Sequence, residues 1–154
     1  MKEIKVLLIE DSTTFAEFVK IVLAEHGAWF NVHHCACLDD ALAAANQEHF
    51  DVVILDLILP NGAGERLVQE VQERINLPIL VLTGAFFEEN EVLLWGAQEF
   101  MAKDDFVQRH ELLAKKVIRA MVRESVRPIY ARNMKAINEI EKMLHKLEEM
   151  THSF

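Results

Sequence analysis

Hydrophobic and polar positions fall along this chain in blocks of two kinds. Four short runs are almost continuously apolar and rich in Val and Ile: 4–9 (IKVLLI), the weaker 31–35 (NVHHC), 52–55 (VVIL) and 79–82 (ILVL). Runs of this type are how strands buried on both faces read. Between them, apolar residues recur three and four positions apart, as on an amphipathic helix. Phe15, Phe18, Val19, Val22 and Leu23 fill the first interval and Leu67, Val68 and Val71 the third, while Leu42, Ala45 and Phe50 mark a shorter helix in the second. A further short strand over 99–101 follows Gly96, and 106–123 reads as one long amphipathic helix with Leu113, Val117, Ala120 and Met121 inward. This alternation predicts a doubly wound, five-stranded parallel sheet with helices on both faces, an α/β flavodoxin-like domain over residues 1–124.

Pro128 is expected to end that helix, and residues 125–154 read as a helical extension. Tyr130, Asn133, Ile137, Ile140, Leu144 and Leu147 follow alternating three- and four-residue steps, with Met143 and Met150 beside the seam. This is a short coiled-coil pattern of roughly three heptads, too short to be stable alone. It is compatible with a helix folding back on its own domain, with self-association, or with a signalling helix leading into a further module.

Composition narrows the functional classes. The 154 residues, 51% hydrophobic, suit one compact domain with an appendage and argue against disorder. No apolar run approaches a membrane span, and the Met1-Lys2-Glu3 start does not read as a signal peptide. The two cysteines, Cys35 and Cys37, are too close to staple a fold, which suits a reducing, cytoplasmic setting. Net charge is −9, distributed as −11 over residues 1–103 and +2 over 104–154. The acidic part would repel nucleic-acid phosphates.

In a parallel α/β sheet the ligand site lies at the carboxyl ends of the strands. The first strand ends in Glu10-Asp11, the third in Asp56, the fourth in Thr83-Gly84, and the fifth is followed by Lys103. Carboxylates crowded on one rim repel: a pair ~4 Å apart costs about 4 kcal/mol at an effective dielectric near 20. Such a cluster calls for a cation. With only hard oxygen ligands in the set, Mg²⁺ is the natural candidate. Acids, a divalent metal, a lysine and a hydroxyl suit a phosphoryl group, and an aspartate can be the nucleophile that accepts it. Taken singly, the same residues have plainer readings. Glu10 and Asp11 are candidate caps for the helix starting near Thr14, Thr83 an ordinary strand end, and Phe100 plain core.

Together and in order, Glu10-Asp11, Asp56 within DLILPNGAG, Thr83, and Lys103 preceded by GAQEF closely resemble the receiver domain of two-component response regulators. The resemblance covers about residues 3–123. It implies that Asp56 is the phosphoacceptor, served by a histidine kinase or phosphotransfer protein. Asp11 matches the direct Mg²⁺ ligand and Glu10 the one acting through water, with Asp56 and the backbone carbonyl of Ile58 completing the set. Thr83 matches the hydroxyl that moves to the phosphoryl oxygens, Lys103 the cation that pairs with them, and Phe100 the aromatic switch.

The chain departs from the family pattern in three places. Asp104 follows Lys103 where most receivers have a proline joined by a cis bond, so a trans bond and a reshaped loop are expected. Thr83 to Lys103 is a couple of residues short, which predicts a short or irregular fourth helix and a sticky surface of Phe86, Phe87 and Trp95. Ile58 and Ala85, each two residues past a site residue, cannot orient a hydrolytic water, which predicts a long-lived phosphoryl state.

The expected function is a phosphorylation-controlled switch of protein–protein contacts, with a homodimer through the C-terminal helix as one output. It is not expected to be an enzyme, nor to bind nucleic acid or membrane. A haloacid-dehalogenase-type phosphatase would need a second carboxylate where Ile58 stands. A receiver-shaped binding module that is never phosphorylated is the alternative. His33-His34-Cys35-Ala36-Cys37 resembles metal-ligand material, but strand alternation sends the two histidines to opposite faces.

Overall fold

The computed structural model describes residues 3–26 and 29–152, apart from the side chains of 126–135 and 151–152. The apolar runs form five parallel strands: β1 (Ile4–Ile9), β2 (Phe30–Cys35), β3 (Val52–Leu55), β6 (Ile79–Thr83) and β7 (Glu99–Ala102). Their order in the sheet is β2-β1-β3-β6-β7, the doubly wound flavodoxin-like arrangement, with a chain reversal beside β1. A small antiparallel hairpin, β4 (Ile58–Leu59) with β5 (Gly62–Ala63), follows β3.

Alternation along the strands builds one core on each face. Val6, Leu8, Val52, Ile54, Leu80, Leu82 and Met101 face α1 (Thr13–Ala24), α5 (Lys103–Gln108) and the start of α6 (Leu113–His152). Leu7, Ile9, Val53, Leu55, Ile79 and Val81 face α2 (Leu38–Gln47), α3 (Glu65–Arg74) and α4 (Glu89–Leu94). With both faces covered, the inner strands have no polar side, and their near-continuous hydrophobicity follows. Gly64, at φ 64°, turns the chain from the hairpin into α3, and its N–H closes on the Leu57 carbonyl at 2.9 Å.

Several sequence expectations are corrected here. α2 stops at Gln47, so Phe50 is not a helical residue but a buried plug of the second core. The expected helix over 106–123 is interrupted. α5 ends at Gln108, the backbone leaves the helical region at Arg109 (φ −137°, ψ 55°), and a 3₁₀ turn, His110–Leu112, leads into α6. Pro128 does not end a helix, because α6 is helical from Leu113 to His152. Proline removes one intrahelical bond, whereas stopping would require a second helix to be nucleated afresh.

The fourth helix is short, six residues, and preceded by irregular chain. Phe86 is fully exposed, but Phe87 and Trp95 are half-buried and pack edge to face at 5.7 Å. The sticky surface is therefore narrower than expected. No peptide bond among the described residues is cis, and the helix α5 begins at Lys103 itself.

The chain divides into two compact units, Met1–Val122 and Arg123–Phe154. Within the second, Ile137, Ile140, Met143, Leu144, Leu147 and Met150 are all exposed. The seam positions Tyr130 and Asn133 lie outside the described side chains. No helix among the described residues is long and apolar enough to cross a membrane.

Candidate functional site

The carboxyl edge of the sheet gathers the residues singled out above. β1 delivers Glu10 and Asp11, β3 delivers Asp56, β6 ends in Thr83, and Lys103 opens α5 directly after β7. Glu10, Asp56 and Thr83 are almost wholly buried, while Asp11 faces solvent. Ligand oxygens of Glu10, Asp11 and Asp56 all lie within 4.8 Å of one another. Among the described residues this is the one group of three or more metal-ligating side chains so placed.

The Lys103 ammonium bridges the two buried acids, with Nζ 2.9 Å from Glu10 Oε2 and 3.2 Å from Asp56 Oδ2. On the other oxygen of Asp56, the Thr83 hydroxyl donates to Oδ1 at 3.0 Å and the Ile58 N–H donates to the same atom at 3.3 Å. The Ser12 N–H donates to Glu10 Oε1 at 3.0 Å, and the Ala85 N–H donates to Thr83 Oγ1 at 3.4 Å.

Burial pushes the Glu10 carboxyl above its usual range, and the Asp56 charge adds to that. The Lys103 and Ser12 hydrogen bonds offset it only in part. Burial alone would lower Lys103, but its hydrogen bond to Glu10 and the two nearby carboxylate charges outweigh that and raise it.

This donor set fits a hard divalent cation such as Mg²⁺. It consists of clustered carboxylate oxygens, two shielded and one open to water, with no imidazole or thiolate among them.

Phe100 is half-buried on β7 and packs on the second core, and its carbonyl accepts from Lys116 Nζ at 3.0 Å. Ile58 is 48% exposed beside Asp56. The capping alternative for Glu10 and Asp11 fails. Ser12 is the N-cap of α1, its hydroxyl accepting from the Phe15 N–H at 3.2 Å, which leaves both acids to the rim.

His33 and His34 diverge as alternation requires, His34 Nε2 bonding the Glu10 carbonyl and His33 Nδ1 lying 3.8 Å from Glu48. Sequence reasoning missed the Ser12 cap and the placing of Phe15 against Lys103, with Nζ 4.3 Å from the ring centroid. A serine three residues before the first large apolar residue was a legible capping signal. The ring's approach to the lysine was not, since it joins two elements far apart in sequence.

Residues 6–118 match the family model described as the response regulator receiver domain. Regulatory protein VanRB of Enterococcus faecalis is 30% identical over 79% of this chain and 54% of its own length. The cell cycle transcriptional regulator CtrA of Caulobacter vibrioides is 30% identical over 79% of this chain and 51% of its own. The chain thus spans about half the length of the curated relatives it matches. Among solved structures, the Francisella response regulator 1452 receiver domain superposes with a TM-score of 0.64 at 26% identity, covering 77% of this chain and 97% of that one. The response regulator domain of Thermotoga maritima CheB, at 22% identity, shares the fold with a TM-score of 0.67, over 78% of this chain and 97% of its own. The chain belongs to the response regulator receiver domain family.

Proposed function

We propose that Asp56 accepts a phosphoryl group from a histidine kinase or phosphotransfer protein, in a Mg²⁺-dependent step, and that the acyl phosphate switches protein–protein contacts. The observation that carries this reading is the division of labour on one carboxylate. Thr83 holds Oδ1 and Lys103 holds Oδ2, with two further acids alongside. In the transfer, an Asp56 oxygen forms a bond to phosphorus while the bond from phosphorus to the donor nitrogen breaks, and the donor imidazole keeps that electron pair. Glu10, Asp11, Asp56 and the Ile58 carbonyl would hold Mg²⁺, which supplies neutralisation of the phosphoryl charge when bound.

Lys103 is the point charge that pairs with a phosphoryl oxygen, and the Thr83 hydroxyl exchanges its bond to Asp56 for one to the phosphoryl group. Movement of Thr83 opens room toward Phe100, the half-buried ring on the neighbouring strand, and so biases a two-state face. Neither Ile58 nor Ala85 can transfer a proton or orient water. The phosphoryl state is therefore long-lived, and Ile58→Asn should shorten it.

The chain acts as a cytoplasmic switch rather than an enzyme, with residues 1–124 the receiver and 125–154 the helical extension. We infer no nucleic-acid contact for residues 1–103, whose acidic excess would repel phosphates. The heptad-spaced, exposed Ile137, Ile140, Leu144 and Leu147 favour a homodimer through the extension as one output.

The test is intact-protein mass after incubation with Mg²⁺ and acetyl phosphate, alongside Asp56→Asn. One phosphoryl adduct is expected in the parent, none in the variant, and none with chelator. An adduct that persists in Asp56→Asn would move the acceptor elsewhere. No adduct, together with no binding of beryllofluoride, would favour an unphosphorylated binding module.

A further inference from the structure

The Lys103 ammonium has three N–H donors. Glu10 Oε2 and Asp56 Oδ2 account for two of its neighbours, and the third is the face of the Phe15 ring, 4.3 Å from Nζ to the centroid. The ring is itself held. Its backbone N–H is fixed by the Ser12 cap, and it stands edge-on to Phe106 at 5.4 Å, with Phe18 closing on Phe106 at 4.9 Å. Phe106 is fully buried and lies three residues after Lys103 on α5. The first turns of α1 and α5 are thus clamped together by aromatic contacts, with the lysine head lodged between a π face and two carboxylates.

We propose that Phe15 is a positioning residue for Lys103. A lysine head sits on a flexible four-carbon stem and has no shape to orient it. Two acids attract it but do not choose where along their shared edge it rests. The negative face of an aromatic ring occupies the third side and draws the ammonium electrostatically, which an aliphatic side chain of similar bulk cannot do. Lys103 is then poised at Asp56 before any phosphoryl group arrives, and the cost of ordering it is not met during transfer. This deepens the proposed function and rests on the phosphoacceptor reading of Asp56.

The competing explanation is that Phe15 is only a core residue, since it also packs against the first core. A fluorination series separates the two. Mono-, di- and trifluorophenylalanine at position 15 drain the ring face of negative charge with little change in volume. Phe15→Leu and Phe15→Trp extend the series in either direction. The rate of adduct formation from acetyl phosphate should fall stepwise with each fluorine at an unchanged unfolding midpoint. It should be roughly 3- to 10-fold slower in Phe15→Leu and near the parent rate in Phe15→Trp. A flat fluorine series would overturn the proposal.

Should the parent take no phosphoryl group at all, the Asp56 reading fails instead. The proposal is then judged by the ¹H shift of the Lys103 ε-methylene in the full chain. An upfield ring-current displacement in the parent, lost in Phe15→Leu, is expected, and equal shifts in both would overturn it.

Discussion

The carboxyl edge of the sheet and residues 137–150 of α6 each hold side chains where folding alone would not put them, in opposite senses. At the edge, Glu10 and Asp56 are charged groups 1% and 5% exposed. Along α6, Ile140, Leu144 and Leu147 are aliphatic groups more than half exposed. The first penalty is offset within its own unit, by one lysine, one threonine and two backbone N–H groups. The second is offset by no burial in the described chain. A compensated penalty marks a site whose chemistry can be reasoned out from its own atoms. An uncompensated one marks a surface whose meaning depends on what comes to cover it.

The same truncation applied to both regions gives the largest expected contrast. Phe106→Ala removes a fully buried ring that touches Phe15 and Phe18, and should cost about 3–5 kcal/mol in urea unfolding followed by tryptophan fluorescence. Leu144→Ala, at a side chain 55% exposed, should stay within about 0.5 kcal/mol at protein concentrations too low for self-association. If Leu144→Ala matched Phe106→Ala in dilute solution, the seam would be covered by the chain's own first unit, and the self-association reading would fall.

Removing the compensation at the rim should come next in size. Lys103→Met leaves Glu10 facing Asp56 with no cation between them. A cost of about 2–4 kcal/mol is expected in chelator, somewhat below that of breaking a fully buried pair because the lysine is 21% exposed. Millimolar Mg²⁺ should restore at least half of the lost unfolding temperature, since the three acids regain a counter-ion. A loss equal in size with and without Mg²⁺ would show that the cluster does not take the cation.

A smaller, pH-dependent effect follows from the raised Glu10 carboxyl. The folded state binds this proton more tightly than the unfolded chain, so stability is highest where the carboxyl is protonated in both. It declines as pH rises from the ordinary value of 4.5 through the folded one. Lys103, raised above 10.5, stays charged throughout that window. Urea midpoints of the parent should therefore fall relative to Glu10→Gln as pH climbs from 4.5. A constant difference would mean that burial does not dominate at this carboxyl.

What the sequence made legible follows the same division. β1, β3 and β6 could be read because strands buried on both faces are almost continuously apolar, with only Lys5 near one end of β1 and Thr83 at the end of β6 departing from the pattern. Topology then placed Glu10, Asp56, Thr83 and Lys103 on one rim without any knowledge of side-chain geometry. Features that cross between elements were not legible. Phe106, Leu113, Val117 and Ala120 are spaced seven, four and three apart, which one helix satisfies as well as two. Periodicity could not reveal the break at Arg109. Pro128 misled in the other direction, because a breaker's local cost was weighed without the cost of restarting a helix. Phe15 read as an ordinary inward helix position, since its facing lysine stands at the start of an element 88 residues away.

The smallest expected effect compares two ion pairs. Lys103 and Glu10 meet at 2.9 Å with side chains 21% and 2% exposed, whereas His145 and Glu149 meet at 3.4 Å with side chains 74% and 66% exposed. The second pair is screened by water and must immobilise two mobile side chains, so Glu149→Gln should change stability by at most about 0.5 kcal/mol. Counting heptads from Ile137 and Ile140 puts Glu149 on the outermost row, away from the apolar seam. Its effect should therefore stay small even at concentrations where the helices associate, as read by circular dichroism and sedimentation on the same samples. A loss well above that value, appearing only at high concentration, would put the contact between copies on the charged side of the helix. The exposed Ile140–Leu147 stripe would then need a different occupant.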